Sequence, residues 1–232
     1  MYLLTEMASP FALERWAAFF ANFGQFAKGF FYTLGISIGA LIVALLLGLI
    51  FGAMSSTHNK VFRGISRVYV EIFQNTPLLV QFVVVFYGIS ILTDGHVMIP
   101  ISLTAILCVG VYTGAYISEI IRTGIEAVPK GQTEAALSQG FTYADTMRII
   151  ILPQAVRTIL PPLTNQVVNL IKNTSTVAII SGADIMFTAK AWAYDTTNYV
   201  PAFAGAAFLY FIMCFPLATW ARRKEEENKK AY

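Results

Sequence analysis

Residues 29–57 carry no formal charge. A helix needs about 20 mainly apolar residues to cross the hydrocarbon core of a bilayer, and this run is longer. It starts too late and is too long for the apolar core of a secretory signal, and no basic stretch precedes it. It is therefore expected to stay as a membrane span. The other charges are clustered in the same way. Only 12% of the chain is charged, against 56% hydrophobic residues, and the charged share is about half that of an ordinary soluble domain. Five spans are expected, at 29–54, 75–93, 98–120, 159–183 and 200–221. They form one all-α membrane domain over 1–232. The segment FALERWAAFFANF before them reads either as a short interfacial helix, with Trp16 at headgroup level, or as an extension of the first span.

Five spans put the two termini on opposite sides. With the N-terminus outside, the inner face receives Lys60, Arg63 and Arg67, then Arg122, Lys130, Arg148 and Arg157. The inner tail adds Arg222, Arg223, Lys224, Lys229 and Lys230. Only Arg15, Lys28 and Lys190 fall outside, and Lys172 lies within a span. Basic residues concentrate on the cytoplasmic side of membrane proteins, so this orientation is expected.

The largest inner loop, residues 122–157, is too polar for lipid and too apolar for a solvated linker. Its first part is a good helix former over 132–139. Gly140 follows and can take positive φ at a helix end. Thr142 can cap a second helix, with Asp145 at N3. Two short helices joined by a turn, lying on the inner face, are expected.

The sequence EAALSQGFTYADTMRIIILPQA resembles the EAA loop of permease subunits of ATP-binding cassette importers. Glu134-Ala135-Ala136, Gly140 and Ile151-Leu152-Pro153 stand at that spacing. YVEIFQNTPLLVQFVVVFYG, GAYISEIIRTGIEAVPKGQTEAA and LIKNTSTVAII are similar to the polar amino acid branch, the histidine, glutamine, glutamate and arginine permeases. The likeness covers about residues 25–224 and departs at Gln74, where many members have Arg. It implies a type I importer permease fold in a bacterial cytoplasmic membrane. It implies that the loop docks into a cytoplasmic ATPase dimer, with Glu134 as the charged contact, Ala135 and Ala136 as the close-packing face and Gly140 as the turn. A second permease subunit and an extracytoplasmic amino-acid-binding protein are implied as partners. ATP and Mg would sit on the ATPase.

No phosphate-cradling G-x-x-x-x-G-K-[ST] occurs in the chain, so ATP hydrolysis is not expected of it. His58 and His96 fall in loops on opposite sides in this orientation, and no Cys or His cluster has metal-ligand spacing. No metal, bound cofactor or nucleic acid is expected. Cys108 and Cys214 read as buried, reduced packing residues.

Polar groups inside spans are costly and are candidate functional groups. Two clusters stand out. Glu71, Gln74 and Asn75 share one helical face, and Thr76-Pro77 reads as the start of a helix whose positive end could meet a carboxylate. A structural alternative pairs Glu71 with Arg67 one turn earlier. Asn165, Asn169, Lys172 and Asn173 form a single stripe that lines a pathway or meets a partner permease. Pro161 and Pro162 are expected to bend or restart that helix. Gly35/Gly39, Gly48/Gly52 and Gly110/Gly114 have the spacing of close helix contacts. The absence of a defensible internal repeat argues against an inverted-repeat secondary transporter. That class and a non-transporting membrane scaffold stay open on the residues alone.

Overall fold

The computed structural model describes Ser9 and residues 11–230. The expected domain over 1–232 extends beyond them at both ends. The fold is all-α, and among the described residues there is no strand.

The segment before the first span is a separate helix, α1 (Leu13–Ala21). It ends at Asn22, whose side-chain amide donates to the Ala18 carbonyl at 2.9 Å. Phe19 is buried against Phe26 and Trp192, with ring centres 4.8 and 6.0 Å away. Protein contacts therefore hold this helix in place.

The core is built on the long helix α2 (Phe23–Ser55). Its buried face is a stripe of small residues at every third or fourth position: Gly29, Thr33, Ser37, Ala40, Ala44, Gly48 and Gly52. Two further helices follow, α3 (Lys60–Gln74) and α4 (Leu78–Leu92), bent by 96° at the break between them. Part of α4, Val84–Gly88, is π-helical. The next helix, α5 (Ile101–Glu126), packs along α2. In lipid no hydrophobic force drives helices together, so close approach of small residues supplies the attraction. A Cβ on Gly48 would lie 2.4 Å from Ile117 Cγ2, and one on Gly110 2.7 Å from Val43 Cβ. Gly39, Gly52 and Gly114 are similarly crowded. Gly35 is not, since nothing lies within 4 Å of its would-be Cβ. The expected contact at Gly35/Gly39 therefore rests on Gly39 alone.

After α6 (Lys130–Ser138) and the loop comes α7 (Leu152–Asn173). Pro161 and Pro162 lie inside α7 and do not end it. Each removes one backbone donor, from the carbonyls of Arg157 and Thr158, and the helix continues past both; beyond them the Thr164 hydroxyl donates to the Leu160 carbonyl at 2.9 Å. The segment expected to span at 159–183 is not one helix. It is α-helical to Asn173, tightens into a 3-10 helix at Thr174–Ile180 and turns at Ser181, where φ is 60°. At this end the Ile171 and Lys172 carbonyls accept backbone amides, and the Thr174 and Ser175 hydroxyls add bonds to them at 2.6 and 2.7 Å.

Helices α8 (Ile185–Thr196) and α9 (Tyr199–Lys230) complete the chain. The fully buried Asp184 caps α8 through the amides of Met186 and Phe187 and accepts from the Tyr210 hydroxyl at 3.1 Å. Thr33 Oγ1 accepts from Ile185 N at 3.1 Å. These bonds tie α2, α8 and α9 together. Among the described residues three helices, α2, α5 and α9, are long and apolar enough to cross a membrane, or four spans if α3 and α4 together make one.

The α2–α5 seam yields a paired test. Gly48→Ala is expected to destabilise the purified protein by ~1–3 kcal/mol, because the core cannot accept the methyl. Gly35→Ala faces open space and is expected to be neutral or to stabilise by up to ~1 kcal/mol through helix propensity. Thermal unfolding in detergent measures both, and equal midpoints would show that the seam is loosely packed.

Candidate functional site

The polar groups of α3 arise from its two-faced sequence. Val61, Ile65, Val68 and Ile72 make one exposed apolar side. Arg63, Arg67, Glu71 and Gln74 fall on the opposite side, which faces α5 across a cleft of about 820 Å3. Two bonds dock α3 there: Ser66 Oγ donates to the Phe51 carbonyl at 2.8 Å and the Tyr69 hydroxyl to the Val111 carbonyl at 2.7 Å. Gln74 Nε2 donates to the Ala115 carbonyl at 3.2 Å.

Glu71, Gln74 and Asn75 all line this cleft. Asn75 Nδ2 donates to the carbonyl of Glu71 at 2.8 Å and to its Oε2 at 2.9 Å, so the two side chains form one unit. The Arg67–Glu71 pair is present at 3.9 Å, but both side chains are well exposed. Such pairs contribute at most ~1 kcal/mol, which leaves Glu71 free to exchange partners. Thr76 does not line the cleft and does not begin the next helix. Pro77 holds the position before α4, and the Thr76 hydroxyl donates backwards to the Ile72 carbonyl at 2.8 Å. A free carbonyl at the end of α3 competes successfully for that hydroxyl.

The far wall of the cleft holds three groups that the sequence pattern did not single out: Glu119, Arg122 and Glu126. The Arg122 guanidinium is paired with Glu119 on one side and with Glu126 at 2.5 Å on the other. Their spacing of three and four along one helix is the signal that marks them. Glu126 also lines a second cavity of about 680 Å3, shared with His58, Lys130, Glu134 and Tyr143. His58 and Tyr143 meet edge to face there, with ring centres 5.3 Å apart.

Glu134 belongs to the loop helix α6. That helix ends in a tight two-bond reversal. Gly140 has φ 87°, its amide donates to the Leu137 carbonyl at 3.0 Å, and the Phe141 amide donates to the Ala136 carbonyl at 3.2 Å. Thr142 then caps the next turn through the Asp145 amide at 3.2 Å. A short helix at Tyr143–Asp145 and a π turn at Thr146–Ile151 lead into α7. Glu134, Ala135 and Gly140 are exposed. Ala136 is not available as a docking face, because at 3% exposure it is covered by its own chain.

The α7 stripe lies elsewhere. Asn165, Asn169 and Lys172 are exposed and Asn173 is half-buried. Asn169 reaches only Gln166, at 3.5 Å. Lys172 lines two shallow pockets of about 290 and 310 Å3 against α9, which do not include the α3 residues. One chain thus does not bring the two clusters into a single cavity.

Residues 44–225 match the family described as "Binding-protein-dependent transport system inner membrane component". The chain belongs to this family. It is 36% identical to a probable glutamine ABC transporter permease protein GlnM of Bacillus subtilis (strain 168), over 92% of this chain and 97% of that one. It is 33% identical to the glutamate/aspartate import permease protein GltJ of Escherichia coli (strain K12), over 82% and 85%. A crystal structure of an amino acid ABC transporter with histidines superposes with a TM-score of 0.84 at 31% identity, covering 91% of this chain and 98% of that one. The permease architecture is shared along nearly its whole length.

The turn at Gly140 makes a specific demand of the sequence. Gly140→Ala keeps the amide but places a side chain at positive φ, at a cost of about 1–2 kcal/mol. Gly140→Pro also removes the donor and fixes φ near −65°. Limited proteolysis between Ser138 and Tyr143 is expected to speed up in the order glycine, alanine, proline. Equal cleavage rates would mean that the turn is not held as described.

Proposed function

We infer that this chain is one of two permease subunits, identical or homologous, in an ATP-driven importer of a polar amino acid. The permease has no nucleotide site of its own, and ATP hydrolysis belongs to a separate subunit. The substrate class, glutamine-like, glutamate-like or basic, follows the relatives named above. Two ATPase subunits carrying ATP and Mg, and an extracytoplasmic amino-acid-binding protein, complete the assembly. The protein is an inner-membrane, multi-pass one. The N-terminus is assigned to the outside and the tail of α9 to the cytoplasm, on the distribution of basic residues.

One observation carries the mechanism: Glu126 borders both the α3–α5 cleft and the cavity under Glu134. The cleft is assigned to the amino acid's route. A zwitterion inside a membrane needs partners for both charges. Glu71 suits the ammonium and Arg122 the carboxylate, and Gln74 offers an amide to a polar side chain. The Glu119–Arg122–Glu126 group keeps these charges compensated when the cleft is empty. The exposed Glu134–Ala135 face and the Gly140 turn are assigned to the ATPase. Movement of α6 there reaches the cleft through the shared wall at Glu126. The α7 stripe is assigned to the route where it meets the second permease, since Asn165, Asn169 and Lys172 point away from their own core.

Two experiments test this. An impermeant thiol reagent added outside is expected to label Gly95→Cys and to miss Gln139→Cys in sealed cells. The reverse pattern would overturn the orientation and the docking role together. In proteoliposomes with ATPase and binding protein, Asn169→Leu and Gln74→Leu are each expected to lower amino acid uptake several-fold. That is the size of a lost hydrogen bond of ~0.5–1.5 kcal/mol. Assembly and basal ATP hydrolysis are expected to persist. Glu134→Lys is expected to abolish substrate-stimulated hydrolysis while leaving nucleotide binding intact. Wild-type uptake in both pathway variants would remove the cleft and stripe from the route.

A further inference from the structure

The 96° bend between α3 and α4 is held by side chains and not by the backbone ladder. A helix end leaves its last carbonyls without intrahelical donors. Here the Glu71 carbonyl keeps a backbone donor, the Asn75 amide at 3.3 Å, and three side chains add bonds at and beyond it. Asn75 Nδ2 donates to the Glu71 carbonyl at 2.8 Å, and Thr76 Oγ1 to the Ile72 carbonyl at 2.8 Å. Gln81 reaches back from α4. Its Nε2 lies 3.2 Å from the Phe73 carbonyl, 3.1 Å from the Thr76 carbonyl and 2.8 Å from Thr76 Oγ1.

Gln81 differs from the other two because it alone crosses the break. Asn75 and Thr76 sit at the end of α3 and would follow it anywhere. Gln81 belongs to α4, beside the buried Phe82. The orientation of its amide is settled by its neighbours, since the Phe73 and Thr76 carbonyls can only accept. The other end, Oε1, is buried and has no hydrogen-bond partner among the described residues. An unsatisfied buried acceptor is unfavourable. A leucine would fill the space without that defect, so the residue is not explained by packing.

We propose that Gln81 is a positioning residue for transport: a latch across the break that sets the angle of α3 and so aims Glu71 and Gln74 at α5. The proposal rests on the assignment of the α3–α5 cleft to the substrate route. Gln81 does not touch the substrate. It acts by holding the half-helix that does.

The test reads the bend and the transport separately. Nitroxide labels at Val68→Cys and Leu92→Cys, both exposed positions flanking the break, report the angle by pulsed electron resonance. The assembled transporter is used throughout, in proteoliposomes. With Gln81 present, one narrow distance is expected. Gln81→Leu is expected to broaden the distribution and to lower uptake at least five-fold, with the ATPase recovered in wild-type yield. Gln81→Glu has the same size but sets a carboxyl group against two carbonyls, and it is expected to behave like the leucine variant. Gln81→Asn is one methylene shorter and is expected to fall between them. It also serves as the test should the leucine variant not assemble. A distance distribution that stays narrow and unmoved in the leucine and glutamate variants, or in the asparagine variant where those do not assemble, overturns the latch. A broadened distribution with wild-type uptake keeps the latch and instead overturns the cleft as the substrate route.

Discussion

The fold depends on the seam between α2 and α5. Lipid tails are as apolar as leucine side chains, so these helices gain nothing by hiding apolar surface from each other. What they gain is contact, and contact needs short side chains. Gly48 and Gly52 let Ile117 and Ile121 lie against the α2 backbone, and Gly110 and Gly114 return the arrangement towards Val43 and Leu47. The remaining helices are placed by reference to this pair. Ser66 and Tyr69 hang α3 on it by bonds to carbonyls of Phe51 and Val111. Thr33 fixes the start of α8.

The closely packed pair also forms one wall of the polar cleft. The α3 helix turns its charged side to α5 and leaves its apolar side outward, so a polar cleft forms between the two helices. The polar groups there are compensated locally. Arg122 holds two carboxylates, and Asn75 is bonded to Glu71. On the proposed substrate route, these are charge-assisted contacts that an incoming zwitterion would replace with its own.

The loop follows another physical rule. In the proposed docking role it presents a fixed shape to a partner while staying attached to the helix bundle. The reversal at Gly140 and the cap at Thr142 give it that shape with local bonds only. Ala136, turned inward, anchors the helix to its own chain, and Glu134 and Ala135 remain on the outer side. A single Glu126 side chain then borders both this region and the cleft.

Features set by residues close in sequence are legible in the sequence itself. Charge spacing reveals the apolar runs, positive φ at Gly140 and the Thr142 cap follow from turn chemistry, and Glu71, Gln74 and Asn75 fall on one face by helical period alone. The family is legible in the loop. Tertiary structure decides what depends on partners distant in sequence. Thr76 turns back to α3 because a carbonyl there lacks a donor, and Gln81 stands out only because the 96° bend brings it to Phe73. The fourth apolar run changes from α-helix to 3-10 helix after Asn173, where hydroxyls add bonds to the Ile171 and Lys172 carbonyls. Gly35 and Gly48 look alike in sequence. Only the approach of Ile117 distinguishes them, because a glycine matters where another chain segment fills the space its missing side chain leaves.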